Sequence, residues 1–242
     1  DAGSMSTPTP LPDHLPADLA TAELDLQRAV LDAIGAVPSR RLAASLLFEG
    51  LRLLPIALRL GSALKEAGLQ PTLLWPDAGA AALARREAPE LQTSIKDFNQ
   101  WSAGTEAGDR TDLILAISPQ PSDYEDFQEI CEAHAGMVVM LNGRLEDAAV
   151  GIGSVARERR RGFVASWTAC YWLQPLDAGA LMRIHPDDWR VFRQDPDGYR
   201  LAGTLSSRPD SEGLAELLST EGTQGIAAQL NTVDRFLDGL RN

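Results

Sequence analysis

Histidine and cysteine are scarce in this chain, with three of the first and two of the second in 242 residues. His14, His134 and His185 stand apart, with no second His or Cys at ligand spacing, so no metal site is expected. Cys131 and Cys170 are distant in sequence and each has apolar or aromatic neighbours. That excludes a disulfide framework and predicts two buried thiols in a reducing compartment. Basic charge is also short: 22 Lys and Arg face 34 Asp and Glu, a net charge of −12. Such a surface repels nucleic-acid phosphates and anionic lipid headgroups, and only a local basic patch would overrule the average. No uninterrupted apolar run approaches the ~18–20 residues that cross a bilayer, so no transmembrane segment is expected. The N-terminal stretch has the pattern of neither a secretory signal nor a transit peptide, and the expected location is cytoplasmic.

Familiar chemical signatures are missing too. There is no Gly-x-x-x-x-Gly-Lys-Ser/Thr phosphate loop and no Gly-x-Ser-x-Gly nucleophile elbow. Gly151-Ile152-Gly153 approaches a dinucleotide fingerprint, with Ala156 at the third glycine position. It comes late, however, and no acidic residue ends a following strand at the usual distance. These glycines read instead as a turn between a strand and a helix. Asp187-Asp188 reads as a solvated cap rather than a cation site. No catalytic residue and no cofactor is therefore named, and enzymatic activity is left undecided, leaning to none.

What is present is an alternation of elements. Residues 1–4, ahead of Met5, read as a cloning remnant, and residues 1–16, with Pro8, Pro10, Pro12 and Pro16, read as an extended, disordered tail. Residues 17–242 are expected to form one α/β domain. A helix begins near Pro16 or Asp18, carries Leu19, Ala22, Leu26, Ala29, Val30 and Ala33 on one stripe, and stops at Gly35 and Pro38. Arg41 to Phe48 reads as a strand, and a helix with Pro55 in its first turn runs to about Ala67, with Gly68 just past its end. Thr72 to Trp75 is a strand, Ala80 to Arg86 a helix, Asp112 to Ser118 a strand, Ser122 to His134 a helix and Met137 to Leu141 a strand. The strands are continuous apolar runs, the mark of a parallel sheet covered on both faces. Later segments, Thr168 to Leu173, Ala180 to Ile184, Arg190 to Phe192 and Tyr199 to Thr204, read as antiparallel strands extending the sheet or as a meander beside it. Ile226, Leu230, Val233, Phe236, Leu237 and Leu240 predict a terminal amphipathic helix. The fold class is thus an α/β, Rossmann-like three-layer sandwich whose parallel sheet gains antiparallel strands in the C-terminal half.

Open parallel sheets bind ligands outside the carboxyl ends of their strands. The loops expected there hold Glu49, Asp77, Gly79, Ser118, Gln120, Asn142 and Arg144, the candidate ligand-binding set. Asp77 is equally placed to cap the helix after it, and Asn142 and Gln120 to satisfy loop backbone. A second constellation, Arg157, Arg160 and Arg161, shares a helix face by three- and four-residue spacing. Forked guanidiniums there suit a partner's phosphate or carboxylate, and a solvated face paired with nearby acids is the bland alternative. The aromatic group Phe163, Trp167, Tyr171, Trp172 and Trp189 reads as a buried core layer.

Several separated stretches carry a resemblance. They are Glu49-Gly50-Leu51-Arg52-Leu53-Leu54-Pro55, Leu74-Trp75-Pro76-Asp77-Ala78-Gly79 continuing to Arg86, Val150-Gly151-Ile152-Gly153, Tyr171-Trp172-Leu173-Gln174-Pro175-Leu176, and Arg183-Ile184-His185-Pro186 with Trp189. Together they resemble, over about residues 20 to 208, an uncharacterised cyanobacterial and chloroplast domain family classed as a domain of unknown function. Its plant relatives include a factor needed for photosystem II accumulation and an extension of a chloroplast adenylate kinase. The resemblance implies a cyanobacterial protein serving the photosynthetic apparatus, and it carries no catalytic residues across. Three readings follow. One is a non-enzymatic accessory or assembly factor binding a protein client. Another is a binder or transferase of a small anionic ligand, a nucleotide or sugar phosphate, at the strand-end loops. The third is a degenerate α/β enzyme kept as a scaffold.

Overall fold

The first helix, α1 (Leu19–Ala36), starts where Asp18 accepts a hydrogen bond from the Thr21 N–H at 2.7 Å, which holds the Asp18 carboxyl below its usual range. It and all that follows are described by a computed structural model covering residues 14–103 and 113–219. The expected terminal helix and nearly all of the expected tail lie outside these residues. Strand β1 (Arg41–Leu46) leads to α2 (Leu53–Glu66), capped at Ala67 and followed by Gly68 at a φ of +84°, a left-handed conformation cheapest for glycine. Then come β2 (Pro71–Trp75), α3 (Ala78–Glu87), β3 (Ile95–Asp97), α4 (Phe98–Ala103), β4 (Leu113–Ile117), α5 (Tyr124–Ala133) and β5 (Met137–Leu141). The chain continues through α6 (Ser154–Arg161), β6 (Thr168–Leu176), β7 (Gly179–Ile184), β8 (Trp189–Asp195), β9 (Gly198–Leu205) and α7 (Ser211–Leu218).

One nine-stranded sheet runs in the order β3-β2-β4-β5-β1-β6-β7-β8-β9. Strands β3 through β6 in that order pair in parallel, and β7, β8 and β9 join antiparallel. The α/β class with a parallel block and an antiparallel extension is therefore what the chain adopts. One strand sits differently from its expected place: β6 pairs in parallel with β1 and only its other edge is antiparallel, with β7. Three elements, β3, α4 and α7, carry no mark in the sequence, because three, six and eight residues are too few to show a clear period.

Alternation along each strand explains the continuous apolar runs. In β4, Leu115 and Ile117 pack toward α1, α2 and α3, while Ile114 and Ala116 pack toward α4 and α5. Leu26 and Val30 of α1, and Ile56, Leu60 and Leu64 of α2, complete the first layer; Tyr124, Phe127 and Ile130 of α5 complete the second. Each fully buried leucine or isoleucine contributes about 1.5–3 kcal/mol over its exposed state. A third cluster, with Leu181, Trp189 and Val191, lies under α7. The aromatic group of the C-terminal half is accordingly divided among three layers. Trp167 stacks on Phe127 and Phe163 meets both edge-on, Tyr171 faces α1, and Trp172 meets Trp189 edge-on.

Candidate functional site

Connections set where a crevice can form. From β1 the chain moves one way along the sheet to β2 and β3, then returns through β4 and β5 to β6. Neighbours β2 and β4 therefore send their following segments in opposite directions, the switch point at which open α/β sheets hold ligands. The residues after β2 and β4 are Pro76-Asp77 and Ser118-Pro119-Gln120, both in the expected candidate set.

These side chains are engaged with their own surroundings. Asp77 accepts from the Ala80 N–H at 2.7 Å and caps α3. Gly79 lies within that first turn, where an added Cβ would meet the Asp77 carboxylate at 3.0 Å. Ser118 has a φ of +48°, and Gln120 Nε2 donates to its carbonyl and to its hydroxyl, each at 2.9 Å. After β5, Asn142 adopts a φ of +50° and joins two strands. Its Oδ1 accepts from the Leu46 N–H at 2.7 Å and its Nδ2 donates to the Leu46 carbonyl at 2.8 Å. Arg144 pairs with Asp147 at 2.6 Å. Glu49 is exposed and makes no side-chain hydrogen bond among the described residues.

The arginine helix α6 lies outside the sheet layers, against the turn Leu145–Ala149 and the start of α5. Arg157, Arg160 and Arg161 are all exposed, but they do not act alike. Arg160 turns back, and its Nη1 donates to the carbonyls of Ala149 at 2.5 Å and Gly151 at 2.7 Å. Arg159, not among the sequence candidates, donates to the Ala148 carbonyl at 2.9 Å, pairs with Glu125 at 3.1 Å and lies over the Tyr124 ring. Arg157 and Arg161, four residues apart, have no ion pair among the described residues. Val150, Ile152 and Val155 beside them stand in solvent, although the sequence marks the first two only as part of a turn and of the resemblance, not as a surface. Their signal was the Val-Gly-Ile-Gly run itself, where aliphatic side chains sit on a glycine loop with no periodic face to bury them.

The remaining chemically distinctive groups are shielded. Cys131 and Cys170 are free and buried, and burial pushes each thiol up to about 12. Burial lowers the His185 imidazole pKa, with Arg183 adding to the effect. Among the described residues no group of three His, Cys, Asp or Glu is arranged to hold a metal ion. No described helix is long and apolar enough to cross a membrane.

Fold and rim together define an α/β protein with a Rossmann-like parallel block whose strand-end polar groups are mostly spent on its own backbone. The chain belongs to the family described as a domain of unknown function, DUF1995, which it matches over residues 16–216. No curated protein and no solved structure matches it.

Proposed function

We propose that this chain is a non-enzymatic accessory or assembly factor that binds a protein client, acting in the cytoplasm in support of the photosynthetic apparatus. The observation that carries this reading is the contrast between its two candidate surfaces. At the rim, Asp77, Gln120, Asn142 and Arg144 each satisfy a helix end, a loop, a strand end or a neighbouring acid. On α6, Arg157 and Arg161 point outward with unspent donors, suited to a client's carboxylates. The photosynthetic link rests on the family resemblance. Affinity capture of the tagged protein from a detergent-solubilised photosynthetic lysate tests it, alongside an Arg157→Glu, Arg161→Glu variant that leaves the Arg160 clasp intact. Photosystem or pigment-protein subunits held by the parent and lost by the variant are the expected result; their absence from both defeats the reading.

A second reading is favoured by one observation, the β2/β4 switch point with the α3 N-terminus beside it. There the ligand is a nucleotide or sugar phosphate. Such ligands then raise the melting temperature, and Asp77→Ala, which strips the cap, removes the increase.

A further inference from the structure

Three of the six large apolar side chains left exposed among the described residues fall within six positions. Ile152 is 94% exposed, Val150 77% and Val155 61%. Exposed aliphatics scattered singly are ordinary, whereas a cluster on one projection marks an interaction site. This projection is held in shape. Arg160 clasps the Ala149 and Gly151 carbonyls, Arg159 holds the Ala148 carbonyl, and Gly151 takes a φ of +119°. Two guanidiniums thus fix a loop that presents its apolar side chains to solvent.

Charge around the projection is locally basic in spite of the acidic average. Arg157 and Arg161 are exposed on the helix that follows. The acids nearest in sequence and contact are largely neutralised: Glu125 by Arg159, Asp147 by Arg144 and Glu146 by Arg208. Glu158 remains on α6 without an ion pair among the described residues. Charges farther away than a Debye length, about 8–10 Å at moderate ionic strength, are largely screened.

We propose that this projection docks the protein on an anionic lipid surface, with Val150, Ile152 and Val155 entering the headgroup boundary and Arg157 and Arg161 resting on the lipid phosphates. The shape selects lipid. A convex aliphatic tip needs a matching pocket on a protein but none in a bilayer, and the cluster contains none of the aromatic anchors that dominate protein interfaces. Basic side chains beside the inserted groups add the electrostatic attraction that peripheral docking requires. The docking draws on the same two arginines as the client reading, and the two are told apart because client capture is measured in detergent, where no bilayer exists.

Flotation with vesicles of phosphatidylcholine containing phosphatidylglycerol, against vesicles of phosphatidylcholine alone, tests the proposal. The full chain is expected to float with the anionic vesicles and to bind the neutral ones about tenfold less. Val150→Ser with Ile152→Ser, and separately Arg157→Gln with Arg161→Gln, are each expected to lower anionic binding about tenfold. Their melting temperatures should match the parent, because none of the four side chains is buried. Failure to float with anionic vesicles overturns the proposal, as does equal binding by the serine variant or equal binding to neutral vesicles. If the serine variant instead loses client capture in detergent or changes the oligomeric mass, the tip belongs to a protein partner or a second copy, and the lipid proposal is overturned.

Discussion

Asn142 shows how much one polar side chain can hold at the end of a strand. Its amide spans the Leu46 N–H and carbonyl, so β5 and β1 are tied together beyond the last ladder bond, and its φ of +50° suits Asn or Gly. Asn142→Gly keeps the backbone and loses both hydrogen bonds, a loss of about 2–3 kcal/mol. Asn142→Ala adds the left-handed strain of about 1 kcal/mol. The ordering parent, glycine variant, alanine variant is expected in urea denaturation. Two other groups have the opposite character. Asp25 Oδ2 and the Tyr171 hydroxyl are buried without a hydrogen-bond partner among the described residues. Burial raises the Asp25 pKa despite Arg28 and His14, and burial together with the Asp25 charge raises that of Tyr171. A carboxylate whose folded pKa is raised destabilises the protein above that value, and the penalty disappears as pH falls toward its ordinary 3.8. Asp25→Asn is therefore expected to stabilise at neutral pH, with the gain shrinking on acidification, as urea midpoints across that range would record.

Between elements, close approach and charge pairing decide the packing. At Gly61, α2 comes so near β2 that an added Cβ would sit 2.7 Å from Leu73 Cδ2. Gly61→Ala should destabilise by about 1–3 kcal/mol through overpacking, despite alanine's better helix propensity. Restoring the fit with Leu73→Val is expected to recover part of the loss in thermal melting. Helices α1 and α2 are also joined by Glu23 and Arg59, a two-point pair at 2.5 and 2.8 Å. Glu23 is 8% exposed at its side chain and Arg59 57%, so Glu23→Ala frees a guanidinium that water can solvate. The expected loss is about 1 kcal/mol, read from the denaturation midpoint, well short of that for a fully buried pair.

For the molecule as a whole, packing buries two thiols, one on α5 and one on β6, while one arginine-bearing projection stays in solvent. With both cysteines pushed up to about 12 by burial, neither should react with a thiol reagent in the native protein at neutral pH. Both should react at once in guanidinium, and labelling with and without denaturant measures the difference. The thiols stay protonated when folded and ionise when unfolded above pH 9.0, so their contribution to stability falls as pH rises past that value. The acidic balance of −12 describes the whole surface and misses the patch at Arg157 and Arg161, because a sum over the chain carries no positions.

Periodicity and punctuation determined the elements. Asp18 and Asp77 cap the helices that follow them, Gly68 ends α2, and the apolar runs of β1, β2, β4 and β5 become the parallel strands. These features act over a few residues, so the chain displays them before it folds. Segments of three residues such as β3 had too little length to do so. Only the tertiary structure decided strand order, with β1 between β5 and β6, because the partners of β1 lie about 100 to 130 residues away along the chain and any apolar strand satisfies any other. It alone decided that Asn142 would spend its amide on Leu46 and that Arg160 would fold back on Ala149 while Arg157 and Arg161 remained outside. Spacing assigns a side chain to a helix face; the loop packed against that face determines which donors remain free.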